Sequence, residues 1–269
     1  LDNYHNTFAS IYEGRYLAGI AAGMKLNEMI DSGKITADQA KIGYVGAFTY
    51  AEVISGYTSF FLGARSVCPS ASMEVTFTGS WYDETAEKEG ANKLIADGCV
   101  LISQHADSMG APTACETAGV PNVSYNGSTE SVGPNTYIVS SRIDWEPYYE
   151  YAITAAMNGD PIDTDWTGTL ATGSVVLTDL NANVAAEGTQ EAIDAAKAEL
   201  EAGTRQVFDV TTFTVKAIRP TLTPTPTTPP IPRLSRTALS RSPSSVPLLT
   251  SICGSTASPC WTKLTAKHR

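Results

Sequence analysis

Apolar residues recur along this chain in two alternating periods. Over residues 7–31, Phe8, Ile11, Tyr12, Leu17, Ile20, Met24 and Met29 keep helical spacing, and Gly33 follows as a stop. Lys41–Gly46 is a short apolar run ending in glycine, the mark of a strand. Residues 52–66 predict a helix with Val53, Ile54, Tyr57, Phe60, Phe61 and Ala64 on one face, ended by Pro69. Residues 73–77 predict a strand. Asp83 then opens a helix as its N-cap, with Glu84 and Glu87 in the first turn and Gly98 at the end. Residues 99–103 predict the next strand, 109–118 a short helix closed by Gly119, and 122–125 and 137–140 two further strands. Asp144 is expected to cap a helix that tolerates Pro147 in its first turn and carries Trp145, Tyr148, Tyr149, Ala152, Ile153 and Met157 on one face. Residues 174–177 read as a strand, 189–202 as an amphipathic helix closed by Gly203, and 207–210 as one more strand.

Strand and helix alternate, and the strands are short and apolar on both faces. This predicts an α/β fold with a parallel, doubly wound sheet. Such sheets bind ligands beyond the carboxyl ends of their strands. The positions to inspect therefore follow Gly46, Phe77, Ser103, Tyr125 and Ser140.

Charge divides the chain. Residues 1–215 hold 10 Lys and Arg against all 28 Asp and Glu, a net of −18, whereas residues 216–269 hold 8 cations and no acid. A body this acidic is repelled by nucleic acid and by anionic membrane surfaces, which leaves a neutral or weakly charged small molecule as the expected partner. No apolar run reaches the ~18 residues that span a bilayer. The chain starts at Leu1 inside a region that reads as structured, so its natural start is expected upstream. Cys68, Cys99 and Cys115 make no CxxC, and three histidines are too few for a zinc set. The cysteines read as buried small side chains or as one disulfide, Cys68–Cys99. No metal and no cofactor is expected.

Residues 216–269 hold nine of the 15 prolines and no periodicity. They read as a disordered Pro/Thr/Ser-rich tail. Codon degeneracy allows a neighbouring frame to encode an acidic, strand-like sequence, so a frameshift is the expectation; a genuine Pro/Thr linker is the alternative.

The run FASIYEGRYLAGIAAG at 8–23 resembles a helix signature of the basic membrane protein family, and KIGYVGAFTYAEVISGYTSFFLGARSVCP at 41–69 resembles the strand–helix unit that follows it. TGSWYDETAEKEGANKLIADGCVLISQHADS at 78–108, GVPNVSYNG at 119–127 and WEPYYEYAI at 145–153 continue in the same order and spacing. The resemblance covers residues 1–215. It implies a type I periplasmic-binding fold: two hinged α/β lobes that close on a ligand, lipid-anchored outside the cytoplasmic membrane, delivering purine nucleosides or related compounds to an ABC permease. Against that pattern the first lobe is incomplete. The expected organisation is a first-lobe remnant and crossing helix at 1–37, a second lobe at 38–138, segments crossing back and returning at 139–215, and the tail at 216–269.

The candidate ligand-binding residues are Trp81, Gln104, His105, Asn126, Asp107, Tyr12 and Trp145. Trp81, in the loop before the Asp83 helix, stacks on a base in the resembling family or else closes the core; stacking contributes roughly 1–3 kcal/mol. Gln104, His105 and Asp107 follow the 99–103 strand and either bond a base edge or ribose or satisfy loop backbone. Asn126 offers a donor and an acceptor, or is the turn residue of an Asn-Gly pair. Tyr12 faces the cleft or the core, and Arg15 ties the lobes by a salt bridge. Ser141, Arg142 and Trp145 lie at the second crossing between lobes. Family members often carry an acid where this chain has Thr172, so a ribose-binding carboxylate there is not expected.

Enzymatic readings are weaker. GxGxxG and GxSxG are both absent, which speaks against dinucleotide binding and against a hydrolase built on Asp83, His105 and a serine. No catalytic residue is assigned. A sensory ligand-binding domain of the same fold is the alternative to transport.

Overall fold

The computed structural model describes residues 3–209, all within one compact unit, Leu1–Val215. The tail from 216, with Cys253, Cys260 and the expected disorder, lies outside the described residues.

Six strands form the main sheet: β2 (Lys41–Gly46), β3 (Ser72–Phe77), β4 (Leu101–His105), β5 (Asn122–Tyr125), β6 (Tyr137–Ile143) and β8 (Val175–Leu177), in the order β3-β2-β4-β5-β6-β8. The first five are parallel, and β8 closes the edge antiparallel to β6. Helices α1 (Ile11–Asp31), α2 (Ala51–Val67) and α6 (Thr189–Glu201) cover one face. Helices α3 (Glu84–Ala96) and α4 (Gly110–Ala118) cover the other, over Val45, Leu94, Ile102 and Cys115. The chain leaves β2 for β3 on one side, then crosses back to β4 on the other. The winding therefore reverses between β2 and β4, and a doubly wound sheet opens its ligand crevice at such a switch point.

The predicted doubly wound α/β sheet is thus present, with four corrections. Residues 6–9 are not helix: Asn6–Ala9 is β1, which pairs in parallel with β7 (Asp165–Gly168), a strand that periodicity did not predict. Four residues with no apolar run carry no period, and a partner roughly 160 positions away leaves no local signal. Of the strand expected at 207–210, Val207 and Phe208 form a turn, and Val210 lies outside the described residues. Asp144 is not the N-cap of α5 (Glu146–Asn158); Trp145 holds that position while Asp144 accepts from the Glu146 amide at 3.1 Å. The 99–103 strand is shifted to 101–105, so Gln104 and His105 end β4 instead of following it.

Cys68, Cys99 and Cys115 are free and buried, the first of the two readings the sequence left open. Burial raises the Cys99 thiol to about 11 and that of Cys115 to about 12, so both stay protonated and inert. Asp83 does cap α3, accepting from the Ala86 amide at 2.9 Å.

Helices α1 and α2 cross in backbone contact. A Cβ added at Gly19 would stand 2.0 Å from the Phe60 carbonyl oxygen, and one at Gly63 2.0 Å from that of Tyr16. Neither neighbour can give way, being main chain. Gly63→Ala is expected to destabilise the fold by about 1–3 kcal/mol or more, read as a lowered denaturation midpoint; an unchanged midpoint would contradict the close crossing.

Helix α5 carries Trp145, Tyr149, Ile153 and Met157 at four-residue steps, and all four are exposed, Met157 to 83%. An apolar stripe of this kind on water favours association. Replacing both Ile153 and Met157 by Glu is expected to reduce aggregation, measured by light scattering, without lowering the thermal midpoint.

Candidate functional site

The carboxyl ends of β2 and β4 are joined where the Ala47 amide donates to the His105 carbonyl at 3.0 Å. Aromatic rings gather around that junction from two loops and two strand ends. Phe48 and Tyr50, after β2, stack at 4.8 Å and 16°. Trp81, after β3, meets Phe48 edge-on at 5.4 Å and Tyr50 at 6.2 Å. The His105 ring lies 6.3 Å from Trp81 and 4.0 Å from Tyr125 at the end of β5. Tyr50 is 55% exposed and His105 is fully buried, so the cluster grades from solvent into the sheet.

Hydrogen bonds fix the loops relative to one another. The Asp107 amide donates to the Trp81 carbonyl at 2.8 Å, and the Asp107 carboxylate accepts from Asn126 Nδ2 at 3.3 Å. Asn126 sits at φ 66°, a left-handed conformation that Asn tolerates, and its amide donates to the Ser141 carbonyl at 2.8 Å. The structure thus brings together four of the sequence candidates: Trp81, His105, Asp107 and Asn126.

The other three lie elsewhere. Gln104 points to the opposite face of the sheet, where its Nε2 donates to Ser124 Oγ at 3.1 Å and its Oε1 accepts from Asn122 at 2.9 Å. Strand alternation separates it from His105. Tyr12 packs on Phe208 at 5.1 Å. Trp145 lines an open groove of about 870 Å³ with Arg142, Tyr149 and Ile153.

Among the described residues Arg15 makes no salt bridge, contrary to expectation. Its guanidinium is fully buried and donates to the Ser124 carbonyl at 2.8 Å, Ser103 Oγ at 2.6 Å and Ser141 Oγ at 3.3 Å. It also lies over the rings of Phe60 at 4.8 Å, Tyr44 at 5.4 Å and Tyr125 at 5.8 Å. Sequence reasoning missed Phe48, Tyr50, Glu52 and Tyr125 as site residues. The available signal was their placement directly after β2 and at the end of β5, both carboxyl-edge positions.

Both ring nitrogens of His105 lack a hydrogen-bond partner, and Nε2 stands 3.7 Å from Glu52 Oε1. Burial holds the imidazole pKa below its ordinary 6.5; Arg15 pushes it the same way, while Glu52 and Asp107 oppose. The site therefore offers a neutral imidazole, two carboxylates and an aromatic wall. Among the described residues no cluster of three His, Cys, Asp or Glu side chains could hold a metal.

These shifts set a pH dependence. The unfolded chain binds a proton near pH 6.5 that the folded chain declines, so this contribution to stability is present above that value and lost as pH falls through it. Glu13 and Glu87 act oppositely: burial raises both above 4.5, so the folded form keeps their protons to higher pH than the unfolded chain does. The thermal midpoint is expected to fall between about pH 7.5 and about pH 5.5, and His105→Asn to flatten that fall. An identical slope in the variant would assign it to other groups.

Comparison with known proteins agrees with this architecture. A protein of Haloferax volcanii named as an ABC transporter glucose-binding protein, TsgA13, is 35% identical over 187 residues, 69% of this chain and 45% of the relative. A purine-binding protein of Brucella abortus is 31% identical over 158 residues, 59% of this chain and 42% of the relative. The chain thus spans less than half the length of either. Among solved structures, an ABC transporter solute-binding protein of Conexibacter woesei aligns with a TM-score of 0.60 at 23% identity, covering 77% of this chain and 67% of that one. One from Aeropyrum pernix aligns at 0.62 and 17%, covering 74% and 65%. These two likenesses establish the periplasmic-binding fold. Residues 2–203 match the family described as ABC transporter substrate-binding protein, PnrA-like, and the chain belongs to that family.

Proposed function

We propose that this protein is the solute-binding component of an ABC transporter and captures a purine nucleoside or related small molecule at the carboxyl edge of its main sheet. The aromatic wall of Phe48, Tyr50 and Trp81 at the β2–β4 switch point carries the reading. A nucleobase presents a flat π-face that such rings stack on without regard to sequence of substituents. Asp107 and Asn126, exposed on the loops beside the wall, then supply hydrogen-bond direction, with the buried His105 behind it. The family is one of transport binding proteins rather than enzymes, and the neutral His105 has a structural place without any catalytic partner arrangement being required. An extracytoplasmic location follows from the family. The lipid anchor and the membrane permease that would receive the ligand are parts of the proposal. No helix among the described residues is long and apolar enough to cross a membrane.

In the two-lobed family fold, capture is a population shift: contacts from both sides of one ligand stabilise the closed form. A sensory role is a second reading. A Dictyostelium discoideum protein named metabotropic glutamate receptor-like protein A is 25% identical over 150 residues, 55% of this chain and 19% of the relative. The same binding lobe would then report to a signalling module.

A thermal-shift panel of nucleosides, nucleobases and sugars tests the proposal. Purine nucleosides are expected to raise the midpoint by mass action. Trp81→Ala is expected to weaken affinity about five-fold to a hundred-fold, the equivalent of roughly 1–3 kcal/mol of stacking. No shift with any panel member, from protein shown to be folded by circular dichroism, would overturn it.

A further inference from the structure

We propose that Glu52 is the group that reads the ligand's polar edge, accepting an N–H donor from a flat heterocycle, and that His105 is the residue that positions it. The inference rests on the binding function just proposed and names the chemistry of that site.

His105 presents the problem from which it starts. A neutral imidazole has one N–H and one lone pair, and here both nitrogens are buried without a partner. Such groups are costly unless something satisfies them. One nitrogen is closed off. Nδ1 lies against Gly56 on α2, where an added Cβ would stand 2.5 Å from it. The other, Nε2, looks to Glu52 Oε1 at 3.7 Å. Gly56 and Glu52 are four residues apart, one turn of the same helix face, so α2 supplies both the space for the ring and the carboxylate beside it.

At 3.7 Å the contact is just beyond a hydrogen bond, and a small swing of the glutamate closes it. The Glu52 side chain is 24% exposed while His105 is sealed. The carboxylate therefore spans from the buried imidazole to the mouth of the site. With Nε2–H engaging one oxygen, the other remains to accept from outside. The charged and titratable groups facing His105 are Glu52 on α2, Asp107 after its own strand, Arg15 on α1 and Tyr125 on β5. Burial first, and then the nearby Arg15 cation, disfavour a positive charge here, which keeps the imidazole a neutral donor to Glu52.

An ionised carboxylate only accepts hydrogen bonds, so its complement is a donor. Next to an aromatic wall that donor belongs to a planar ring: the exocyclic amine or ring N–H of a base. A sugar hydroxyl also donates, and the experiment separates the two sources.

Isothermal titration of the wild type, Glu52→Ala, Glu52→Gln, His105→Gln and His105→Leu would use adenosine, inosine, purine riboside and glucose. Purine riboside keeps the sugar and the ring but lacks the base donor. The wild type is expected to prefer adenosine or inosine to purine riboside by about ten-fold, one good hydrogen bond to a charged group. Glu52→Ala should abolish that preference while leaving purine riboside affinity within about two-fold, and Glu52→Gln should retain part of it. His105→Gln, which keeps an N–H, should preserve the preference, and His105→Leu should lose it. Equal loss for adenosine and purine riboside, or no loss for either, would overturn the assignment while leaving the binding function standing. Binding of glucose alone would also overturn it. Binding of no panel member by the folded wild type would instead remove the function on which it rests.

Discussion

The structure depends on a cation that has left water with no acid to meet it. Among the described residues the buried Arg15 guanidinium has no carboxylate partner and its Nε no acceptor, a costly state that the bonds of its two other nitrogens and a diffuse counter-charge must offset. Here a carbonyl at the end of β5, a hydroxyl on β4 and a hydroxyl on β6 take its hydrogen bonds, and three aromatic faces take its charge. One side chain from the first helix thereby fixes three adjacent strands at their carboxyl ends, the place from which the site's loops depart. The same charge sits beneath the His105–Tyr125 pair. It couples the packing of α1 to the protonation state of the imidazole above.

Topology explains why chemistry accumulates where it does. The loops after β2 and β4 diverge to opposite faces of the sheet, leaving a crevice that no crossover helix fills. Phe48, Tyr50, Trp81 and His105 occupy the rim of that crevice, and each belongs to a different loop, helix start or strand end. Their mutual distances are set by strand register: Gly46 pairs with both Phe77 and His105 across three strands. A register slip on either side would dismantle the wall, so sheet pairing and site geometry are a single constraint.

The main sheet was legible because buried parallel strands are written as apolar runs, as in Lys41–Gly46. The β1–β7 pair was not, because Asn6–Ala9 and Asp165–Gly168 each contain little to bury and exist only as partners. The end of β4 was misplaced for a related reason. Gln104 and His105 are polar and read as loop, yet Gln104 is satisfied by Asn122 and Ser124, and His105 is covered by Tyr125 and Gly56. Arg15 suggested an ion pair because sequence shows charge but not the serines and rings, up to 126 positions distant, that replace the acid. Glu52 was only the first residue of the predicted 52–66 helix. Its meaning comes from a histidine brought beside it by the β2–β4 pairing.

Electrostatics narrows the ligand further than shape does. Glu52 and Asp107, the charged side chains brought beside His105 and Asn126, are both acids. Arg15, the cation packed under the Tyr125 ring, is buried with Nη1 and Nη2 engaged by Ser103, Ser124 and Ser141. The surrounding body carries a net charge of −18. A phosphate group approaching this edge would meet repulsion from the body, and the partly exposed Arg142 near the end of β6 is already paired with Asp144 at 3.0 Å. The same acids attract N–H and O–H donors. For the ligand proposed, the balance favours a nucleoside over the corresponding nucleotide, through the long-range field before any contact is made.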